Sequence, residues 1–337
     1  MTALEILSEK LGPGKLTSSS KQEYEFLCPL CQEEHHLHVC LSKGVYLCVT
    51  PGCSNRGKIE DLIGKTNFVR TPRKDQINAH LLEEVYSSIV EHGKLRDLHR
   101  KWLLDRGVKD PDRFNLVSTD GLLEILMALF TTKELKEAGL LTEKSGRLGA
   151  AGVIAGGRVL FPYSNPFGNR FIYGRSRAVN QDNKAVKYLS PTGVPGTTMM
   201  WGWNNIKDNT PHILVTEGEI KAIVATELGF SCIGLPGMTA GHHYFAKACK
   251  LHGIPLVTIL FDTEVEVSAL GVPKQVAVDR EARSLAKELV SAGITAYIAK
   301  LPADKEKMDI DTFVKREGAN AFKALLDVIN SGVRYDG

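Results

Sequence analysis

Three carboxylates in the C-terminal half stand where short apolar runs stop. Glu217 closes Ile213-Leu214-Val215-Thr216, and Asp262 and Glu264 follow Leu260-Phe261. Such aliphatic and β-branched runs, bounded by turn signals, predict buried parallel strands, so each carboxylate falls at a strand's C-terminal end. Open α/β sheets keep their chemistry at that edge. Acidic groups converging there repel and raise one another's pKa unless a cation neutralises them. Oxygen ligands of this kind suit a hard divalent ion, Mg2+ first, and imply metal-dependent phosphoryl transfer.

A second group of residues points to a different metal. Phe26-Leu27-Cys28-Pro29-Leu30-Cys31 is a knuckle whose proline turn aims two thiolates at one point, and Cys48-Val49-Thr50-Pro51-Gly52-Cys53 is a wider one. Between them residues 37–40 and 45–47 predict two strands around the turn Ser42-Lys43-Gly44. Two knuckles across a hairpin make a closed, structural, tetrahedral zinc ribbon on Cys28, Cys31, Cys48 and Cys53. Cys40 or one of His35, His36 and His38 in place of Cys53 is the alternative. The seven cysteines are an odd number and four of them lie in these two pairs, which in a reducing compartment favours metal over disulfides. A module this small has little apolar core, so zinc would supply most of its folding energy.

Several elements must position these groups. The 337 residues leave room for two or three domains, and 43% apolar with 24% charged residues is ordinary globular composition. A formal charge of +3 gives no global positive field, so any contact with nucleic acid rests on local basic clusters. The N-terminus has no apolar stretch of signal-peptide length and nothing later approaches a membrane span; a cytoplasmic protein with no membrane partner is expected. Residues 55–63 predict a short helix after the ribbon, and the polar, basic stretch 65–80 a linker. Apolar spacing predicts helices over 81–90 and 99–106, with Gly107 ending the second. From Arg158 the pattern switches to a hairpin, 158–163 and 170–177, which carries Arg175 and Arg177; Lys184 and Lys187 follow. Basic residues interleaved with Tyr173 and Tyr188 suit either a phosphate backbone with stacked bases or a solvated strand face.

In this order the chain resembles the DnaG-type DNA primases of bacteria and phages, from the knuckles to about Gly318. Trp102-Leu103-Leu104-Asp105-Arg106-Gly107 is similar to the family's arginine–glycine helix end, and Arg158-Val159-Leu160-Phe161-Pro162 to its basic–apolar–Phe-Pro strand. Gly174-Arg175 and Lys187-Tyr188-Leu189-Ser190-Pro191 resemble its Gly-Arg and Lys-Tyr-Leu signatures. Glu217-Gly218 matches the glutamate motif of its Toprim domain, Asp262-Thr263-Glu264 stands at its Asp-x-Asp, and Met308-Asp309-Ile310-Asp311 resembles its third acidic motif.

The resemblance implies an α/β Toprim domain with a Rossmann-like parallel sheet over 207–318. Before it would come a helical and basic α+β part of the polymerase domain over 81–206, behind a zinc ribbon over 1–64, and after it a tail over 319–337 with no room for a helicase domain. It implies a DNA-directed RNA polymerase that makes short primers on single-stranded DNA from nucleoside triphosphates, with a replicative helicase as a partner. Glu217 would be general base or metal-orienting carboxylate. Asp262, Glu264, Asp309 and Asp311 would join it in holding two or more Mg2+ or Mn2+ ions, beside one structural Zn2+. Arg106, Arg175 and Lys187 would hold template and nucleotide.

Three departures stand out. Lys221 occupies a position that usually carries aspartate, where it would either contact a phosphate or point outward from its helix. An insertion spans 265–278. Residues 196–203 lack the family's basic residue. The competing readings are a Toprim nuclease and a non-catalytic single-stranded DNA-binding protein.

Overall fold

The structure, a computed structural model, describes residues 2–18, 22–29, 32, 34–49, 56–63, 78–144, 146–166, 170–179, 186–194, 196, 199–267, 273–303, 306–318, 321, 324–325 and 332–335. The chain forms two compact units, Met1–Ile77 and Asn78–Gly337. The expected linker over 65–80 lies mostly outside the described residues, and its last residues instead begin a helix.

In the first unit α1 (Ala3–Leu11) starts at a reciprocal cap: Thr2 Oγ1 accepts from Glu5 N and Glu5 Oε2 from Thr2 N. Strands β1 (Lys15–Ser18), β2 (Glu23–Phe26), β3 (Leu37–Cys40), β4 (Val45–Cys48) and β5 (Arg56–Lys58) follow as an antiparallel meander in chain order. The β3–β4 turn ends at Gly44 with φ 68°, a conformation that glycine adopts without strain. Arg56–Lys58, expected in a helix, pairs with β4 instead, and the helix α2 (Ile59–Ile63) starts one residue later. A small core of Leu7, Phe26, Leu37, Val39, Ile59 and Ile63 also takes in Cys28 and Cys48.

The second unit opens with α3 (Ala79–His92), capped by Asn78 Oδ1 on Leu81 N at 3.2 Å, and α4 (Asp97–Asp105). After β6 (Val117–Ser118) come α5 (Leu122–Leu129), α6 (Thr132–Glu137) and the hairpin β7 (Leu141–Lys144) with β8 (Arg147–Ala150). The expected hairpin is β9 (Arg158–Ser164) and β10 (Phe171–Ala178); with β11 (Tyr188–Leu189) they make an antiparallel sheet in the order β11-β10-β9-β6. All seven residues of β9 are buried, which accounts for its unbroken apolar pattern.

The α/β part runs β12 (Ile213–Glu217), α7 (Glu219–Glu227), β13 (Cys232–Leu235), α8 (His242–Leu251), β14 (Leu256–Leu260), α9 (Lys274–Ser291), β15 (Thr295–Ala299), α10 (Ile310–Glu317) and β16 (Val333–Arg334). Its sheet order is β13-β12-β14-β15-β16, the first four strands parallel and β16 antiparallel. Alternation along β12 sends Leu214 into one core, with α7 and α10, and Ile213 and Val215 into the other, with α8 and α9.

Three expected boundaries are corrected. The divide at 206/207 does not separate compact units, because Leu126, Phe161, Leu214 and Ala222 belong to one hydrophobic core. The segment 319–337 is more than a tail: Ala321 and Leu325 are buried, and β16 extends the sheet. Helix α9 begins at Lys274, inside the expected insertion 265–278. Among the described residues no helix is long and apolar enough to cross a membrane.

Candidate active site

Strand β12 lies between β13 and β14, so the chain departs to opposite sides of β12 as it forms its two neighbours. This is the switch point at which open parallel sheets leave a crevice at their C-terminal edge. Glu217 is the last residue of β12, and Gly218, with φ 87°, turns the chain into α7. Gly234 on β13 allows this turn to pack closely: a Cβ there would lie 2.6 Å from Gly218 O. Asp262 follows β14 on the other side of the crevice. Its loop is held by two backbone hydrogen bonds, Thr263 N to Met308 O at 2.8 Å and Met308 N to Thr263 O at 2.9 Å, which bring Lys307 and Asp309 alongside. Asp309 caps α10, its Oδ1 accepting from Thr312 N at 2.9 Å.

A basic wall faces these carboxylates. The Arg175 guanidinium on β10 sits 4.2 Å from the centroid of the Tyr188 ring, and its Nη1 donates to Pro236 O at 2.7 Å. Glu219, fully buried, lies behind it: its Oε1 accepts from Tyr163 Oη at 2.5 Å and Arg175 Nη1 at 3.4 Å. Arg177 lies 5.2 Å from both the Trp102 and Tyr188 rings and donates to Tyr188 Oη at 2.9 Å. Stacking and a rigid acceptor fix both planar cations in place.

The two walls enclose a cavity of about 270 Å3, in which Arg106, Arg175, Arg177, Lys187, Lys221 and Lys307 face Glu217, Asp262 and Asp309. Six cationic side chains face three carboxylates inside the cavity, while Glu219, Glu264 and Asp311 pair with Arg175, Lys307 and Arg106 from behind it. Burial and the surrounding Arg177, Arg106, Lys221 and Lys307 lower the Lys187 pKa. Burial raises that of Glu217, with Lys221 opposing and Asp262 reinforcing the shift. At the helix start burial and Asp309 push Asp311 up, while hydrogen bonds from Asp311 and Thr312 hold Asp309 down against its own burial.

The cavity thus gathers Glu217, Asp262, Asp309, Arg106, Arg175, Lys187 and Lys221 from the expected set. Glu264 and Asp311 do not line it: Glu264 pairs with Lys307, and Asp311 with Arg106. Lys221 does not point outward; its ammonium contacts Asp262 Oδ1, while Lys307 Nζ stands 2.8 Å from Asp262 Oδ2. Burial alone would lower the Lys307 pKa, but hydrogen bonds to Asp262 and Glu264 outweigh it and raise it. Among the described residues no three His, Cys, Asp or Glu side chains gather closely enough to hold a metal ion. Glu217, Asp262, Glu264, Asp309 and Asp311 therefore do not fit the expected two-ion centre in this arrangement, because lysine and arginine already neutralise three of them.

Sequence reasoning missed Lys307 and Glu219. Lys307 sits in Lys305-Glu306-Lys307, which reads as a solvated loop, although its place two residues before Asp309 was a signal. Glu219 reads as an ordinary first-turn acidic residue of α7. Residues 196–203, where a basic residue was expected, put Trp201 into the core and pair it with Gly234 at the sheet edge. In the first unit Cys28 ends up beside the end of β2 and Cys48 at the end of β4, the same edge of the meander, as a shared zinc requires. Cys31 and Cys53 lie outside the described residues.

A family model described as a domain of unknown function, DUF3854, matches residues 200–321. No curated protein matches the chain in sequence. Among solved structures, the zinc-binding and RNA polymerase domains of the Aquifex aeolicus primase are similar over 99% of this chain and 84% of that one, with a TM-score of 0.59 and 19% identity. The primase fragment of the bacteriophage T7 primase-helicase protein aligns over 90% of this chain and 98% of that one, at a TM-score of 0.35 and 14% identity. The chain has the fold of a DnaG-type primase.

Proposed function

We propose that this protein is a primase-type nucleotidyltransferase that makes short RNA primers on single-stranded DNA during replication. The observation that carries the reading is the cavity at the switch point, where six cationic side chains face Glu217, Asp262 and Asp309. Arg177 and Lys187, which pair with no carboxylate among the described residues, suit a polyanion, and the cavity's carboxylates suit proton transfer.

Primer growth joins a 3'-hydroxyl to the α-phosphate of an incoming triphosphate, and pyrophosphate leaves. Arg106, Arg175, Arg177 and Lys187 would neutralise the triphosphate and orient it for in-line attack. Tyr188, already stacked on Arg175, offers one face of a stacking platform for a base. Glu217, with its pKa raised by burial, would accept the proton of the attacking hydroxyl. One Zn2+ on Cys28, Cys31, Cys48 and Cys53 belongs to the same reading, as the staple of a ribbon that would bind single-stranded template through Lys43 and Tyr46. A replicative helicase is the partner this reading expects.

The test is incubation of the zinc-loaded protein with single-stranded DNA, labelled ribonucleoside triphosphates and Mg2+ or Mn2+, with Asp262→Ala in parallel. Short labelled oligomers from the unmutated chain, reduced on the order of a hundredfold or more by the substitution, are expected. No oligomers would overturn the proposal: template cleavage would then favour a nuclease, and DNA binding alone a non-catalytic replication protein.

A further inference from the structure

Asp262 has an ammonium group on each carboxylate oxygen. Lys221, in the first turn of α7, contacts Oδ1, and Lys307 stands 2.8 Å from Oδ2 while also contacting Glu264. Both lysines are rooted in fixed backbone. Gly218 and the close packing of Gly234 set the start of α7, and the paired hydrogen bonds between Thr263 and Met308 tie Lys307 to the Asp262 loop. The Lys221 side chain is only 14% exposed, so it has little solvent into which to swing. A divalent ion approaching Asp262 would meet two positive charges in a half-buried crevice, where like-charge repulsion is poorly screened. Glu217 and Asp309 are the cavity carboxylates that make no ion pair with lysine or arginine among the described residues.

We propose that Lys221 and Lys307 are the permanent cations of this centre, standing at Asp262 where a two-ion site would hold a divalent ion. The centre then takes at most one such ion, which Asp262 does not hold, and the lysines meet phosphate oxygens directly. Only this last clause rests on the nucleotidyl-transfer reading.

Mn2+ binding to the full zinc-loaded chain, followed by the electron paramagnetic resonance signal of free Mn2+, tests the assignment. Asp262→Asn in the otherwise unchanged chain is expected to leave the number of Mn2+ ions bound per chain unchanged, since Asp262 is then no ligand. Lys221→Met with Lys307→Met is expected to add one Mn2+ per chain, and Asp262→Asn in that background to remove it. Two Mn2+ ions per chain in the wild type, or the loss of a bound ion from Asp262→Asn alone, would overturn the proposal. So would a doubly substituted chain with an unchanged circular dichroism spectrum that gains no ion. Should the double variant not fold, the comparison of wild type with Asp262→Asn decides by itself. Primer synthesis is scored separately: the expected Mn2+ pattern in a chain that makes no primer would sink the nucleotidyl-transfer reading and leave the lysine assignment standing.

Discussion

Glu219 shows how much a single residue can hold in place behind the cavity. It is a fully buried carboxylate whose Oε1 takes Tyr163 and Arg175, while its Oε2 has no hydrogen-bond partner among the described residues. Glu219→Ala would leave the Arg175 guanidinium without its counter-charge, and a loss of about 3–5 kcal/mol in urea unfolding is expected. Glu219→Gln keeps an acceptor for Tyr163 but removes the same charge, so most of that loss should remain. His99 sets a pH dependence. It is buried, with Nδ1 2.7 Å from Ser118 Oγ and Nε2 3.7 Å from Asp120. Burial lowers its pKa below the ordinary 6.5, with Asp120 opposing and Arg96 reinforcing the shift. The folded chain thus binds fewer protons here than the unfolded chain, so this contribution is fully present above pH 6.5 and is lost as pH falls from there towards the lowered value. The gap in urea midpoint between the wild type and His99→Gln should accordingly be wider at pH 7.5 than at 5.5; a gap independent of pH would refute the assignment. At this scale Glu217 and Asp262 were legible because each follows an apolar run. Glu219 and Lys307 were not, because what they do depends on distant partners: Lys307 meets Glu264 from 43 residues away.

Elements bring these residues to within bonding distance, and at the site the constraint lies where β13 passes beneath the turn into α7. A Cβ on Gly234 would lie 2.6 Å from Gly218 O and 3.2 Å from Ala222 Cβ, and Trp201 pairs with the same residue from the other side. Gly234→Ala would drive its Cβ into Gly218 and Ala222 and must push the turn that carries Glu217. A stability loss of about 1–3 kcal/mol is expected, accompanied by weaker nucleotide binding. Thermal unfolding and a nucleotide titration on one preparation check it, and an unchanged affinity would mean that the turn does not position the site. The same elements show what a pattern can and cannot reveal. The apolar runs 213–216 and 256–260 announce buried strands through length and β-branching. The start of α9 falls inside the expected insertion 265–278, directly after Pro273, whose fixed φ is a helix-start signal. The two-residue strands β6, β11 and β16 are too short for any periodicity, and only their partners define them.

For the whole molecule, the two units rest on cores of very different size. In the second, one continuous core joins α3, α5, β9, β12 and α7, which explains why the expected boundary at 206/207 was invisible to packing: the antiparallel sheet and the parallel sheet bury apolar side chains against each other. Composition shifts mark where sequence patterns change, whereas a unit ends where its core ends. The first unit has only the cluster around Leu7, Phe26, Leu37 and Ile59, with Cys28 and Cys48 among its members. So small a core leaves little net stability after the entropy of ordering the chain, and on the proposed reading zinc would be the main source of its folding energy. Differential scanning calorimetry of the full chain should therefore resolve two transitions. A zinc chelator is expected to abolish the one that belongs to the first unit and to leave that of residues 78–337 within about 2 °C of its original midpoint, because no zinc ligand is expected there. Zinc set free, followed with a chromogenic chelator, should amount to one equivalent and appear together with the lost transition. Two transitions that both survive chelation would mean that the meander stands without metal, and the thiolates of Cys28 and Cys48 would then need another explanation.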